Sequence, residues 1–357
     1  MSEIFEQELL PLQSELLPWS EKYRPSQMSE IVYHDKIIRI MNNYLKNDDL
    51  PHILFYGISG TGKTSTIISF AKEYYGENFD DMVLVLNSSE ERGINTVRNK
   101  ICQFVITNGT KQQKYKLVVL DEIDEMTVDA QSILRKIIER YIKSVRFCFI
   151  CNYLKKISPA IQSRCVIFRF NPIPYNYICK YVNKICVNEN IDMSDKAMEL
   201  IIEKSGGDMR KLLNIIQSLW MYKNNINSKI IHTINQTIEP IIKNNKITIC
   251  EEYVSKLLSC ITTLKILEIL QYIQNNNLTK SCTYVTNIIN NDISLNEVIM
   301  SIYNILIEHI ITNNNMIKYS NEKISKIIQN LSVISNNLSY CNNQDIQIYS
   351  FISVFYL

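Results

Sequence analysis

Gly57-Ile58-Ser59-Gly60-Thr61-Gly62-Lys63-Thr64 fits the pattern G-x-x-x-x-G-K-S/T, the loop that wraps nucleotide phosphates. The apolar run His52-Ile53-Leu54-Phe55-Tyr56 before it reads as a buried strand, and Thr66-Ile67-Ile68-Ser69-Phe70-Ala71 after it as the start of a helix. Strand, loop and helix in that order are the context the motif needs. Glycines let successive backbone N–H groups turn inward around phosphate oxygens, at a helix N-terminus that already favours anions. The predicted nucleotide-binding residues are therefore Gly57, Ser59, Gly60, Thr61, Gly62, Lys63, Thr64 and Ser65. Lys63 would place a point charge on the β- and γ-phosphates, and the Thr64 hydroxyl would hold Mg²⁺.

A second motif adds hydrolysis. Leu117-Val118-Val119-Leu120 is an apolar run that ends in Asp121-Glu122, about 55 residues behind the phosphate loop. Ligands of an open parallel sheet sit beyond the carboxyl ends of its strands, so these two acids would reach the same phosphates. Asp121 is the second candidate for the Mg²⁺ site, and Glu122 the group that orients and polarises the attacking water.

The remaining composition sets bounds. A chain of 357 residues exceeds one ordinary core, so two or three domains are expected. Hydrophobic residues at 46% and charged residues at 21% describe a globular protein. With a net charge of only +2, any nucleic-acid contact must be a local patch. No apolar run has the length of a membrane span, and the acidic start Met1-Ser2-Glu3-Ile4-Phe5-Glu6 is unlike a secretory signal. A soluble, intracellular protein is expected. Of the ten cysteines most stand singly in apolar stretches, as at Cys102, Cys179, Cys186 and Cys260, which suits reduced, buried thiols. Cys148 and Cys151 form a C-x-x-C, but inside a strand-like run and with no second pair to complete a zinc site.

Along the chain, residues 1–18 read as a loose leader. Residues 19–171 alternate short apolar runs with helical patterns, the candidate strands being Ile53–Tyr56, Met82–Asn87, Lys116–Leu120, Arg146–Asn152 and Val166–Arg169. That alternation predicts a parallel sheet covered by helices on both faces. Asn171-Pro172-Ile173-Pro174 then marks a hinge. Residues 172–236 carry three helical segments and no convincing strand; the second begins near Ser194-Asp195, and the third follows Gly206-Gly207-Asp208 with Asp208 as its cap. From 237 to 357 apolar residues recur at three and four, as in Leu295, Val298, Ile299, Ile302, Ile305, Leu306 and Ile310, and again in Ile324, Ile327, Ile328, Leu331 and Ile334. A third, all-helical domain is expected there.

Further segments stand in a telling order: Trp19-Ser20-Glu21-Lys22-Tyr23-Arg24-Pro25 and Glu30-Ile31-Val32 at the start, Asn152 after the fourth strand, then Ser163-Arg164-Cys165 and Gly206-Gly207-Asp208-Met209-Arg210-Lys211. With the two nucleotide motifs, this order resembles the small subunits of replication factor C, the AAA+ ATPases of sliding-clamp loaders. The resemblance is dense from Trp19 to about Asn214 and rests on length and helical character beyond. It implies an α/β fold class: an AAA+ P-loop parallel-sheet core, a small helical lid and an all-α C-terminal collar for oligomerisation.

The resemblance also implies roles, position by position. Tyr23, Arg24, Pro25, Ile31 and Val32 match the segment that packs on adenine. Asn152 matches sensor 1, which helps place the attacking water, and Arg210 matches sensor 2, a lid arginine that reaches the γ-phosphate. Arg164 matches an arginine finger, acting in trans on a neighbouring subunit's site. Arg92, Arg98 and Lys100 match residues that grip phosphates of primer–template DNA, unless they form a plain solvated face. Ile101 and Phe104 either dock on a PCNA-type sliding clamp, as similar helices do in this family, or bury against their own domain. The implied ligands are ATP and Mg²⁺; the implied partners are the other subunits of a hetero-pentamer, the clamp and DNA. The implied location is nuclear in a eukaryote, and otherwise cytoplasmic or at a viral replication site.

Three departures stand out. Ile58-Ser59 replaces two prolines common in the family's loop, Ile123 replaces the alanine of D-E-A-D, and Tyr33-His34 stands where Gly-Asn is common. None removes a catalytic group. Another AAA+ DNA motor for branch migration or recombination, and a scaffold that binds nucleotide without hydrolysing it, are the alternatives. Strand separation without a clamp would mark the first, and ATP turnover indifferent to Glu122 the second.

Overall fold

The computed structural model describes residues 17–88, 94–106, 115–234, 247–275, 277–290, 293–312, 319–338, 340 and 343–356. They fall into two compact units that divide between Thr248 and Ile249. The expected boundary between lid and collar at 236/237 lies outside the described residues, as does Arg92.

The first unit is built on five parallel strands: β1 Ile53–Gly57, β2 Val83–Asn87, β3 Lys116–Asp121, β4 Val145–Cys151 and β5 Val166–Phe170. Their order across the sheet is β2-β3-β4-β1-β5. Leu54 lies opposite Phe149 on one side and Ile167 on the other, and Val118 lies opposite Phe147. Alternation along each strand supplies two cores. Phe55, Val119, Phe168 and Phe170 pack with Ile67 and Phe70 on one face. Leu54, Val118, Leu120 and Phe149 pack with Leu134, Ile138 and Ile161 on the other. Burial on both faces is why the central strands β1, β3 and β4 read as continuous apolar runs, whereas the edge strands β2 and β5 expose Val85, Val166 and Ile167.

Besides the single turn Phe79–Met82, the helices of the unit are α1 Trp19–Lys22, α2 Asp35–Asn47, α3 Lys63–Tyr75, α4 Ile94–Ile106, α5 Val128–Tyr141 and α6 Pro159–Gln162, followed by α7 Tyr175–Asn188, α8 Asp195–Ser205 and α9 Met209–Ile234. The last three form the lid, with a three-residue strand, Ile191–Met193, that helical periodicity did not announce. Ser194 caps α8 by accepting the amide of Ala197, and Asp208 caps α9 by accepting the amides of Arg210 and Lys211. Each satisfies donors that a helix start leaves without intrahelical partners.

One alternative from the sequence closes here. Ile101 on α4 is 0% exposed, in the core cluster with Leu86, Leu120 and Leu134. A side chain buried in its own domain presents nothing to a clamp, so that assignment is corrected. Phe104 is half-buried against the same cluster, with the Lys116 ammonium 4.7 Å from its ring centre.

The second unit is helical: α10 Glu251–Leu257, α11 Thr263–Gln274, α12 Leu278–Ile289, α13 Leu295–Thr312, α14 Asn321–Asn337 and α15 Gln344–Ser353. Its core joins Ile269, Val285, Ile302, Leu306, Leu331 and Phe351. The apolar periodicity of 295–306 and 324–334 is the buried stripe, whereas Ile310 stands exposed near the end of α13. No helix among the described residues is long and apolar enough to cross a membrane.

Candidate functional site

The carboxyl ends of β1, β4 and β3 lie side by side because the sheet order places them so. They deliver the phosphate loop, Asn152 and Asp121-Glu122 to one place. Gly62, with φ +93°, caps α3 from the left-handed region, which leads the backbone straight from loop to helix. Lys63 follows and turns back: its Nζ donates to the carbonyls of Gly57 and Ile58, each at 2.8 Å, and to Asn152 Oδ1 at 3.1 Å. Burial pushes the Lys63 ammonium below its ordinary range, against the opposing pull of the Asp121 carboxylate.

Asp121 uses both oxygens. Thr64 Oγ1 donates to Oδ2 at 2.6 Å, and the Glu122 amide donates to Oδ1 at 2.9 Å. Glu122 itself has φ +57°, a left-handed conformation rare outside glycine, asparagine and aspartate. Strain of this kind persists where surrounding structure over-determines it, and it concentrates at functional sites.

These groups line a half-open cleft, about 1030 Å³ when the solvent at its mouth is included. Ser59 through Ser65, Asp121, Glu122, Asn152 and Arg210 all line it. So do Tyr23, Arg24, Pro25, Ile31 and Val32, on a second wall. Gly57 is not on the lining; its carbonyl faces Lys63 instead. Arg164 also stands apart from this cleft, with its guanidinium bonded to Glu139 Oε1 and the Ala160 carbonyl, each at 2.6 Å. Arg98 and Lys100 are exposed on α4.

The donor set suits the implied ligands. Thr64 and Asp121 offer oxygens at the foot of the cleft, the ligand type Mg²⁺ takes when it is held by one or two protein groups plus phosphate. Among the described residues, no group of three or more His, Cys, Asp or Glu side chains is placed to hold a metal unaided. Cys148 and Cys151 are buried free thiols within β4.

Several residues of the site were not foreseen. The Asp124 carboxylate accepts the amides of Asn152 at 3.3 Å and Tyr153 at 3.1 Å, and so fixes the turn that presents Asn152. His34 is buried, and its Nε2–H donates to the Thr61 carbonyl at 3.2 Å, bracing the phosphate loop from behind. Burial lowers its pKa below the ordinary histidine range. The lid adds Ile173, Tyr181 and Leu213 as apolar lining. Asp124 and His34 sit beside motifs already quoted, so proximity was the available signal.

Comparison with known proteins agrees with this geometry. The model of the AAA family, ATPases associated with various cellular activities, matches residues 53–173. "Probable replication factor C subunit 5" of Dictyostelium discoideum is 36% identical over 97% of this chain and 92% of its own length. Replication factor C subunit 3 of Schizosaccharomyces pombe is 47% identical over 58% of this chain, and the match spans 61% of that protein. The replication factor C small subunit of Methanococcus vannielii is 41% identical over 62% of this chain and 71% of its own length. A solved RuvB Holliday junction branch migration motor of Thermotoga maritima reaches a TM-score of 0.48 at 15% identity, over 70% of this chain and 79% of that one, too distant to bear on function. The chain belongs to the replication factor C family of AAA ATPases.

Proposed function

We propose that this chain is an ATP-hydrolysing subunit of a replication factor C clamp loader, working in a hetero-pentameric ring that loads a PCNA-type clamp onto primer–template DNA. The observation that carries the ATPase reading is the Thr64–Asp121 contact at 2.6 Å beside a P-loop lysine, inside one cleft. Lys63, already turned toward the loop, would exchange its carbonyl partners for phosphate oxygens. Bound Mg²⁺, held by Thr64 and Asp121, would supply charge neutralisation on the phosphates. Glu122 would orient a water and accept its proton; Asn152, held by Asp124, would fix that water's position; Arg210 would report the γ-phosphate to the lid. Arg164, facing away from its own cleft, would complete a neighbour's. Arg98 and Lys100, exposed on α4, and Arg92 before it would hold DNA phosphates in a sequence-independent contact.

ATP and DNA can favour the assembled ring only by binding it more tightly than the open one. The test is Glu122→Gln in the reconstituted complex. ATP binding should persist while turnover at this site falls by roughly 10²-fold or more, the usual worth of a general base. Unchanged turnover would favour a nucleotide-binding scaffold instead.

A further inference from the structure

The segment Trp19–Pro25 forms one wall of the cleft, yet most of its anchors belong to the lid. The Lys22 ammonium lies 2.6 Å from Glu189 Oε1, and the Tyr23 hydroxyl donates to the same oxygen. The Tyr181 hydroxyl donates to the Tyr23 carbonyl at 2.6 Å. The Trp19 amide donates to Gln217 Oε1 at 3.0 Å, and its indole packs on Trp220 with ring centres 5.6 Å apart. Tyr181 lies on α7, Glu189 closes that helix, and Gln217 and Trp220 lie on α9. At its far end the segment meets the core, where Ser69 donates to the Pro25 carbonyl at 3.1 Å. A lid rotation would therefore carry residues 19–24 with it and turn them about Pro25.

The Glu189 side chain is only 11% exposed, so its two partners act where water competes weakly. Burial, aided by the Glu189 carboxylate, holds the Tyr23 phenol well above its ordinary range, so the hydroxyl remains a donor. Arg210 stands on α9, the same helix that grips Trp19. One helical body thus bears both a cation that lines the cleft and the grip on the Trp19–Pro25 wall.

We infer that Glu189 is a positioning residue for the nucleotide: it ties Lys22 and Tyr23 to the lid, so closure over the phosphates also sets the wall that meets the base. This rests on the nucleotide reading of the cleft. Calorimetric titration of the full chain with ATP and with tripolyphosphate tests it, using Glu189→Ala, Tyr23→Phe and the double variant. Glu189→Ala should weaken ATP roughly tenfold, the scale of one hydrogen bond to a charged group. Tripolyphosphate carries no base for this wall to meet and should bind as it does to wild type. The double variant should be no weaker than Glu189→Ala alone. Unchanged ATP affinity in Glu189→Ala overturns the inference, as does a parallel loss for both ligands, which would signal general damage to the lid. Should Glu189→Ala fail to fold, Tyr23→Phe decides alone: it must weaken ATP and spare tripolyphosphate. A wild-type chain that binds neither ligand would refute the nucleotide reading itself, and this inference with it.

Discussion

Replacing Gly60 with alanine asks how closely the lid bears on the phosphate loop. Gly60 has φ +70°, and an added Cβ would stand 1.9 Å from Asp208 Oδ1, 2.4 Å from its Cγ and 2.8 Å from the Met209 amide nitrogen. The same Asp208 oxygen caps α9 through the amides of Arg210 at 2.9 Å and Lys211 at 3.2 Å. Met209 in turn donates its amide to the Gly60 carbonyl at 3.3 Å. Alanine must therefore displace the cap or the whole lid. Left-handed backbone costs a residue with a Cβ about 1–2 kcal/mol, and a lost cap about 1 kcal/mol. The closed lid should then lose about 2–3 kcal/mol, equivalent to roughly 30- to 150-fold in ATP affinity if closure is needed for binding. Asp208→Ala alone loses the cap, roughly fivefold. In the double variant the carboxylate clash is gone and the cap is lost only once. Its ATP affinity, measured by calorimetry, should match that of Gly60→Ala. If the two penalties add in full, alanine did not displace the cap and the proposed contact between loop and lid is wrong.

Two further perturbations test other parts of the molecule. In the assembled complex, Arg164→Ala should leave this chain's own ATP affinity intact and slow hydrolysis at a neighbour's site by roughly 10³-fold or more; an affinity defect in the mutant's own cleft would contradict the assignment in trans. His52, whose Nδ1 accepts the Phe147 amide at 3.1 Å, is pushed down to about 4 by burial and then by the charge of Arg146. The unfolded chain takes up this proton near pH 6.5 while the fold resists it down to about pH 4, so stability should fall across that window by roughly 3 kcal/mol and level off below it. Denaturation at pH 7 and pH 4.5 should show a smaller loss in His52→Gln than in wild type, and equal losses would rule this out.

The phosphate loop and the acids beyond β3 were legible because their chemistry demands particular side chains at consecutive positions. The five strands were legible to within about a residue at each end: burial on both faces leaves unbroken apolar runs in β1, β3 and β4, and the edge strands β2 and β5 keep short runs of Val, Leu, Ile and Phe. Asp124 was not legible, although it ends the D-E-A-D-like run that Asp121-Glu122 opens. Its partners are the backbone amides of Asn152 and Tyr153, and an amide carries no signature in a sequence. Ile101 failed for a related reason: its place on the helix did not say whether that side meets the sheet or a partner. The tie between lid and wall was hidden too, since Glu189 lies far along the chain from Lys22 and Tyr23 and resembles any solvated acid at a helix end.

Tyr33-His34 shows what a departure from a family pattern can mean physically. The resemblance made glycine the common residue at position 33, and Tyr33 has φ +79°, the backbone conformation glycine adopts freely. A tyrosine there bears a cost of about 1–2 kcal/mol, so neighbouring contacts must hold it. Its ring meets Tyr177 of the lid, with centres 5.2 Å apart. The next residue, His34, packs on Phe170 at 4.5 Å and donates to the Thr61 carbonyl. The pair thus touches the lid with the Tyr33 side chain and the phosphate loop with that of His34. The pair forms an aromatic brace between the lid and the core beside the cleft.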